Sequence, residues 1–332
     1  MSLWKKKSEV IAFTGGKVCV YGENGTGKST FLGTFPQINL VDAEAGQAFY
    51  LESNSNILNV LPTTSAAEVQ EALDELNDEE ALTEFATIGL DSGTKIYENM
   101  QFAAYEVAEG RARKQASKGK AIDLEDLNLS QRDWGHIKRW NQQLTTAYIL
   151  FSNLGKWTVV TAHLKDIEKE ISDGKGGTKK IKIGERPDLP KKAEYDFDIL
   201  IKLYTEVNER TGETEYYGLI EKDRTGVTKK GQIIKNPSFE IWRDRWEGTR
   251  QHGAKKLDMS NSVEADRTRF VTEQEEEDEV INDFKEMLSV ASSEVKKTIA
   301  LKLKELKIEN PLKPKTREEV AALKNLTREY KG

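Results

Sequence analysis

The chain has 332 residues, of which 37% are hydrophobic and 32% are charged, a mix typical of a globular protein with a strongly charged surface. Its net charge of −6 argues against bulk nonspecific attraction to nucleic acid. No apolar run approaches the roughly 20 residues that a bilayer span needs, so we expect no membrane contact and a cytoplasmic location.

The single cysteine and the histidines carry little chemical signal. Cys19 lies in an apolar run, where we expect it to pack in the core, and a lone cysteine cannot form an internal disulfide. The histidines at 136, 163 and 252 are too scattered along the chain to predict a zinc site.

Strands and helices alternate along the first 204 residues, which predicts a mainly parallel central sheet with helices on both faces. A later hairpin would extend that sheet in antiparallel fashion. Strands are predicted at 17–21, 38–42, 85–90, 157–161, 198–204, 215–221 and 239–242. Helices are predicted at 28–35, 66–83, 97–116 and 131–154, and residues 165–194 read as a long loop or hairpin.

The composition changes after about residue 250, so we expect two domains, 1–250 and an acidic helical segment 251–332. Residues 273–279 are almost all acidic, and helices are predicted at 280–291, 294–308 and 316–330. Val280, Phe284 and Met287 belong to an apolar helical face that must pack on the first domain, on a neighbouring subunit or on a partner.

A glycine-rich loop between the first strand and the first helix matches the complete P-loop pattern. Glycines let the backbone curl so that its amide groups surround an anion, and the lysine of the motif reaches the β- and γ-phosphates. The serine hydroxyl coordinates Mg²⁺. The predicted ATP-binding residues are Gly22, Glu23, Asn24, Gly25, Thr26, Gly27, Lys28, Ser29 and Thr30.

Three further strand ends carry polar groups that an NTPase needs. Asp91 ends a predicted strand, as a Walker B carboxylate would, and with Ser29 it is a candidate metal ligand. Glu44 is the candidate to activate the attacking water, and Asp42 is the competing carboxylate. His163, in Thr-Ala-His at the end of a later strand, is a candidate sensor of the γ-phosphate.

These residues, in this order, resemble the RecA-type NTPase core. Val-Asp-Ala-Glu at 41–44 is similar to the strand end that carries the catalytic glutamate in RecA recombinases. The chain most resembles phage-encoded RecA-core NTPases associated with single-strand annealing and recombination. That resemblance rests on residues 20–30, 91–92, 134–135, 161–163, 187–190 and 221–226. It implies an ATPase that forms a homo-oligomeric ring or filament on single-stranded DNA in a bacterial host cell.

Two further sets of residues follow from the resemblance. The Lys-Asp-Arg element is similar to one that reaches a neighbour's nucleotide in DnaB-type rings, which makes Lys222 and Arg224 candidate trans-acting cations. Two loops hold DNA in RecA-type proteins. Here the corresponding basic residues are Arg111, Arg113, Lys114, Lys118 and Lys120, followed by Lys175, Lys179, Lys180 and Lys182.

Other functions remain open from the residues alone. A DNA motor or helicase loader would use the same ATPase core, as would a nucleotide-gated assembly switch whose C-terminal helices bind a protein. A small-molecule kinase fits the element around Arg224 and the strand-ending Glu44 less well.

Overall fold

The structure is a computed structural model that describes residues 15–46, 52–78, 80–117, 127–172, 177–250, 276–314 and 316–330. It divides into two compact units, Met1–Leu257 and Asp258–Gly332.

A nine-stranded sheet forms the centre of the first unit. Its strands are β1 (Gly16–Gly22), β2 (Ile38–Asp42), β3 (Ile57–Leu61), β4 (Thr87–Asp91), β5 (Trp157–Ser172), β6 (Thr178–Pro187), β7 (Ile199–Val207), β8 (Thr214–Asp223) and β9 (Ile233–Lys235). The order is β3-β2-β4-β5-β1-β7-β8-β9, and β6 pairs with β5 outside this path. Strands β3 to β7 in this order run parallel, and the hairpin partners β6, β8 and β9 are antiparallel.

Helices cover both faces of this sheet. Those of the first unit are α1 (Lys28–Leu32), α2 (Ala66–Glu75), α3 (Ala81–Glu84), α4 (Gly93–Ala116), α5 (Gln131–Asn153) and α6 (Glu240–Arg250). Serine side chains cap the N-termini of α2, α4 and α5, and Ser130 and Asp133 form a reciprocal capping box on α5. The predicted mainly parallel α/β fold is therefore confirmed.

Strand β1 shows why both faces need cover, since it is apolar on each side. Cys19 and Tyr21 pack in one core cluster with α2, α4 and α5, whereas Val18 and Val20 pack in a second cluster with α1 and α6. All four side chains are fully buried. A strand that is buried on both faces reads as a continuous apolar run, as this one does. The expectation that Cys19 packs in the core is confirmed.

The strand predicted at 239–242 is wrong, because α6 begins at Glu240. Trp242 and Trp246 are spaced for one helical face, and both are buried in the cluster that contains α1. A run of four residues, three of them apolar, is too short to distinguish a strand from the start of a helix.

Other boundaries also differ from the prediction. Strands β3 and β9 were not predicted. The hairpin alternative predicted within 165–194 is found, since residues 164–172 pair antiparallel with 178–187, with one register shift after Ile167. On α5 the predicted apolar face is only partly buried, since Trp134 and Trp140 are 44% and 41% exposed.

The second unit consists, in its described part, of α7 (276–290), α8 (Ser293–Glu305) and α9 (Arg317–Tyr330). The apolar face of α7 packs within the unit, where Phe284 and Met287 lie against Ile299 of α8 and Leu323 of α9. The apolar face of α7 is therefore covered by the other helices of its own unit, and not by one of the three surfaces that were expected. Residues 273–275 of the acidic run lie outside the described residues, and 276–279 form the first turn of α7.

Asp223 ties the end of β8 to α6. Its carboxylate accepts hydrogen bonds from the amide and hydroxyl groups of Thr225 and of Thr228, and one of 3.1 Å from Trp242 Nε1. Burial raises the pKa of this carboxyl, but the hydrogen bonds from Thr225, Thr228 and Trp242 bring the pKa below its usual 3.8. Asp223 thus organises the turn that follows β8.

We expect Asp223→Ala to lower the free energy of unfolding by about 2–4 kcal/mol at pH 7, because buried donors lose a charged acceptor. The folded state binds this proton less readily than the unfolded state, so the stabilisation is present above the usual pKa and is lost as pH falls below it. Urea unfolding should show the difference from wild type narrowing between about pH 5 and pH 3. Asp244→Ala, on the exposed side of α6, is the control. A difference that stays constant with pH would contradict this role.

Candidate functional site

The glycine-rich loop follows β1 directly and leads into α1. A side chain at Gly22 would come within 2.4 Å of the Leu203 carbonyl oxygen, so only glycine fits beside β7 there. Gly27 has φ +88°, a left-handed conformation that favours glycine. Helix α1 has only five residues, so its dipole is small. The amide groups of the loop therefore supply most of the positive potential that a phosphate group would meet.

Lys28 lies over this loop. Its Nζ donates to the carbonyl oxygens of Gly22 at 3.2 Å and Glu23 at 2.8 Å. Burial lowers its pKa, while the nearby carboxylates of Glu44 and Asp91 act in the opposite direction. The hydroxyl of Thr26 donates to the Glu23 carbonyl at 2.8 Å and closes the loop from within.

Asp91 ends β4 and is 4% exposed. Its Oδ2 accepts a 2.6 Å hydrogen bond from Ser29 Oγ, and its Oδ1 accepts one from the Thr161 hydroxyl. A hydroxyl and a carboxylate beside a phosphate cradle are the hard oxygen ligands that Mg²⁺ prefers, and it takes few of them from protein. Ser29 and Asp91 therefore fit a magnesium ion. The described residues contain no cluster of three or more histidine, cysteine or acidic side chains that could hold a metal without the nucleotide.

Glu44 lies two residues past the end of β2, with its carboxylate facing the loop. Its Oε1 accepts hydrogen bonds from Ser92 Oγ and, at 2.7 Å, from His163 Nε2. Burial raises the pKa of Glu44, but the bonds from Ser92 and His163 outweigh it, so the net pKa lies below the usual value of 4.5. The carboxylate is therefore ionised at neutral pH and held in one orientation.

Asp42, the competing carboxylate, is placed differently. It pairs in register with Asp91 across the sheet, is 7% exposed and accepts a 3.3 Å hydrogen bond from the amide of Gly46. Glu44 lines the cavities on both sides of Lys28, and Asp42 lines neither.

Two cavities meet at Lys28 and Glu44. The larger of the two, of about 630 Å³, extends from the loop and Ser29 past the C-terminal end of α1 to residues 236–238. The second, of about 570 Å³, lies between the loop, His163 and the beginning of the β5–β6 hairpin. A volume of 630 Å³ falls within the range of small-molecule sites.

Lys222 and Arg224 lie level with the beginning of β7, away from the end of the strands that carries the phosphate loop. Lys222 is in register with Leu200, whereas the phosphate loop begins level with Leu203, about 10 Å along the strands. Lys222 Nζ donates to the Glu194 and Tyr195 carbonyls at 2.9 and 3.2 Å. Arg224 is 58% exposed and lies 3.5 Å from Asp198. Neither cation lines its own chain's phosphate cavity.

The first set of predicted DNA-binding residues is on a helix. Arg111, Arg113 and Lys114 belong to the last turns of α4, and Lys118 and Lys120 lie outside the described residues. Arg111 contacts the buried carboxylate of Asp133 at 2.5 Å, and Arg113 contacts Glu109 at 2.6 Å. Both arginines are engaged in ion pairs within the unit.

The second set lies on a two-stranded arm formed by residues 164–172 of β5 and 178–187 of β6. Lys180 and Lys182 share one face with acidic residues, and Lys182 lies 2.7 Å from Asp166 and 2.6 Å from Glu185. Lys179 is on the opposite face, paired with Ile171. Lys175 lies outside the described residues.

The roles of several site residues were not predicted from the sequence. Ser92 adjoins Asp91 in the chain, so its contact with Glu44 could have been suspected from position. Tyr216, Asn236 and Pro237 line the cavity opposite α1 although nearly 200 residues separate them from the loop. Nothing in their local sequence indicates that placement.

One protein family and several solved structures are similar to this chain. The family model described as "AAA domain" matches residues 14–230. No curated protein matches the chain. Among solved structures, a KaiC-like protein of Pyrococcus horikoshii OT3 has a TM-score of 0.36 and 14% identity, covering 68% of this chain and 91% of its own. The flagellar accessory protein FlaH of Methanocaldococcus jannaschii has a TM-score of 0.35 and 15% identity, covering 69% and 92%.

No helix in the described part of the chain has the length and apolarity to cross a membrane. The family match spans well over half of the chain and contains the phosphate loop, Glu44, Asp91 and His163. The chain therefore belongs to the AAA domain family of P-loop NTPases.

Proposed function

We propose that the protein hydrolyses ATP, with Glu44 as the group that activates the attacking water. The observation that carries this proposal is the orientation of the Glu44 carboxylate, which Ser92 and His163 hold beside Lys28 at the junction of two cavities. An ionised carboxylate at this place can accept a proton from water.

The other residues of the loop have complementary roles in this proposal. The backbone of residues 22–30 and Lys28 bind the phosphates and stabilise the charge that develops on the γ-phosphate. Ser29 and Asp91 would hold the Mg²⁺, which neutralises charge on the β- and γ-phosphate oxygens when bound. Thr161 orients Asp91 through its hydrogen bond, and His163 orients Glu44.

Substitution of the two competing carboxylates tests this assignment. We expect Glu44→Gln to retain ATP affinity within about 3-fold and to lose at least about 100-fold in turnover, the scale of a lost general base. Asp42→Asn should reduce turnover far less, and Glu98→Gln on the exposed side of α4 should leave it unchanged. Steady-state phosphate release and equilibrium ATP binding measure the two quantities. A larger loss in Asp42→Asn than in Glu44→Gln would identify Asp42 as the base.

We also propose that the protein acts as a homo-oligomeric ring or filament in which Arg224 reaches the nucleotide of a neighbouring chain. Arg224 is exposed and lies beyond the end of β8 that is further from its own phosphate loop, which supports action on a neighbouring chain's nucleotide. Lys222 is a weaker candidate because two backbone carbonyls already occupy its ammonium group.

A mixing experiment tests this arrangement. Arg224→Ala chains keep an intact phosphate loop, and Lys28→Ala chains keep an intact Arg224. Each variant alone should have little ATPase activity, whereas an equal mixture should regain activity at interfaces that combine one intact part from each. A mixture no more active than the sum of its parts, with assembly shown by light scattering, would contradict trans action.

Single-stranded DNA is the partner that we propose for this assembly. The arm starts at the site itself, because the Asp188 amide donates to the His163 carbonyl at 2.8 Å and the His163 amide donates to Thr94. On the arm face that carries Ile171 and Ile181, Lys169 and Lys179 form no ion pair with described residues, so their charges are available to phosphates.

DNA-stimulated ATPase activity tests this partner. We expect single-stranded DNA to raise wild-type turnover, and the double variant Lys169→Ala/Lys179→Ala to bind it more weakly. The slope of log affinity against log salt should fall by about 1.4 in this variant, since each lost phosphate contact removes about 0.7. Lys138→Ala/Arg139→Ala on α5 removes the same charge and should keep the wild-type slope.

A protein partner is the second candidate, and the composition of the arm favours it. Acidic residues neutralise Lys180 and Lys182, and Ile167, Ile181 and Ile183 are 37%, 38% and 56% exposed. If single-stranded DNA leaves the wild-type ATPase activity unchanged and does not bind at low salt, a nucleotide-gated switch is favoured over a DNA enzyme. The three-helix second unit, which we propose to be a separate domain, would then be a further candidate docking module.

A further inference from the structure

The cavity that contains the phosphate loop continues well beyond the residues that bind phosphate. From Lys28 and Ser29 it passes Phe31 of α1 and Thr34, which follows this helix, and it ends against Tyr216, Asn236 and Pro237. A triphosphate in the loop leaves this end of the cavity for the nucleoside. The far wall comes from β8 and from the segment after β9, neither of which belongs to the phosphate-binding motif.

Tyr216 lies directly beside the loop. A side chain on Gly27 would come within 3.5 Å of the Tyr216 ring, and the ring is 41% exposed on the cavity side of β8. The next residue, Tyr217, points to the opposite face of the strand, where its ring stacks on Tyr204 at 5.6 Å and 22°. Adjacent tyrosines therefore differ in face, and only Tyr216 lines the cavity.

The segment around Asn236 and Pro237 is held in place at both ends. The Asn236 amide donates to the Tyr216 carbonyl at 2.9 Å, and the Phe239 amide donates to Thr34 Oγ1 at 2.9 Å. Asn236 has φ +49°, a left-handed conformation that asparagine tolerates better than most residues. The buried Phe239 ring packs 5.0 Å from Phe35. The wall is thus formed before any ligand enters.

We infer that Tyr216, Asn236 and Pro237 form the base subsite of the nucleotide, an inference that rests on the proposed ATP hydrolysis. The planar Tyr216 ring and the apolar face of Pro237 offer stacking surfaces for a purine. The Asn236 side-chain amide forms no hydrogen bond with the described residues, so it has both a donor and an acceptor free for the edge of the base. The substrate class is a purine nucleoside triphosphate.

A ligand without a base separates this subsite from the phosphate loop. ATP and inorganic tripolyphosphate are titrated against wild type, Tyr216→Ala, Tyr216→Phe and the matched control Tyr217→Ala. We expect Tyr216→Ala to weaken ATP about 10-fold, as loss of one base–aromatic stack does, with tripolyphosphate affinity unchanged. Tyr216→Phe keeps the ring and should stay within about 2-fold of wild type, as should Tyr217→Ala.

The possible results separate failure of the base subsite from failure of the proposed ATP hydrolysis. Equal weakening of both ligands in Tyr216→Ala, or weakening of neither, would overturn the base subsite. If wild type binds tripolyphosphate and ATP equally well, the subsite is also wrong although the phosphate loop remains. If wild type binds neither ligand, the proposed ATP hydrolysis itself fails.

Asn236 is tested by the choice between two purines. Asn236→Ala removes the amide without touching the stacking surfaces, so it should change the ratio of ATP to GTP affinity by at least about 3-fold, the effect of one hydrogen bond. Tripolyphosphate affinity should stay at the wild-type value. A parallel loss for ATP and GTP would show that Asn236 does not contact the edge of the base.

Discussion

The site depends on the parallel pairing of four neighbouring strands. Because β2, β4, β5 and β1 run in the same direction and in register, their carboxyl ends lie side by side at one edge of the sheet. Strands β1 and β4 end at Gly22 and Asp91, and the part of β5 that pairs with β1 ends at His163. Glu44 follows the end of β2. One constraint, strand direction, thus brings together residues that are more than 100 positions apart in the chain.

Hydrogen bonds between strand ends then fix the individual groups. Thr161 of β5 and Ser29 of α1 hold the two oxygens of Asp91, while Ser92 and His163 hold one oxygen of Glu44. Each carboxylate is therefore oriented by two different segments. Such preorganisation lets a site act on developing charge without rearranging when the reaction occurs. It also explains why β5, which lies between β1 and β4, contributes both an orienting hydroxyl and an orienting imidazole.

The sequence predicted the parts of the fold that depend on local pattern. The apolar run before Gly22, the glycine spacing of the loop and the strand-ending Asp91 are all local, and the class of fold follows from the alternation of strands and helices. The start of α6 was missed because the tryptophan spacing that makes Trp242 and Trp246 one face extends beyond the four residues that looked like a strand. Strand β3 is half exposed at the edge of the sheet and lacks a clear apolar pattern.

The contacts of charged residues were the hardest to predict, since they depend on tertiary neighbours. The lysines of the arm look alike in sequence, yet pairing across the hairpin places Lys182 against Asp166 and leaves Lys179 beside Ile171. Asp223 looked like part of a catalytic element, and its carboxylate instead organises a turn. The cavity wall at Tyr216 could not be predicted locally, because it depends on the place of β8 in the sheet relative to the phosphate loop.

The most direct test of the central claim is calorimetric titration of the wild-type protein with a non-hydrolysable ATP analogue, with and without Mg²⁺. The account predicts one binding site per chain and tighter binding when Mg²⁺ is present, because the cradle, Ser29 and Asp91 act on the same phosphates. Absence of binding, or an affinity that is independent of Mg²⁺, would contradict it.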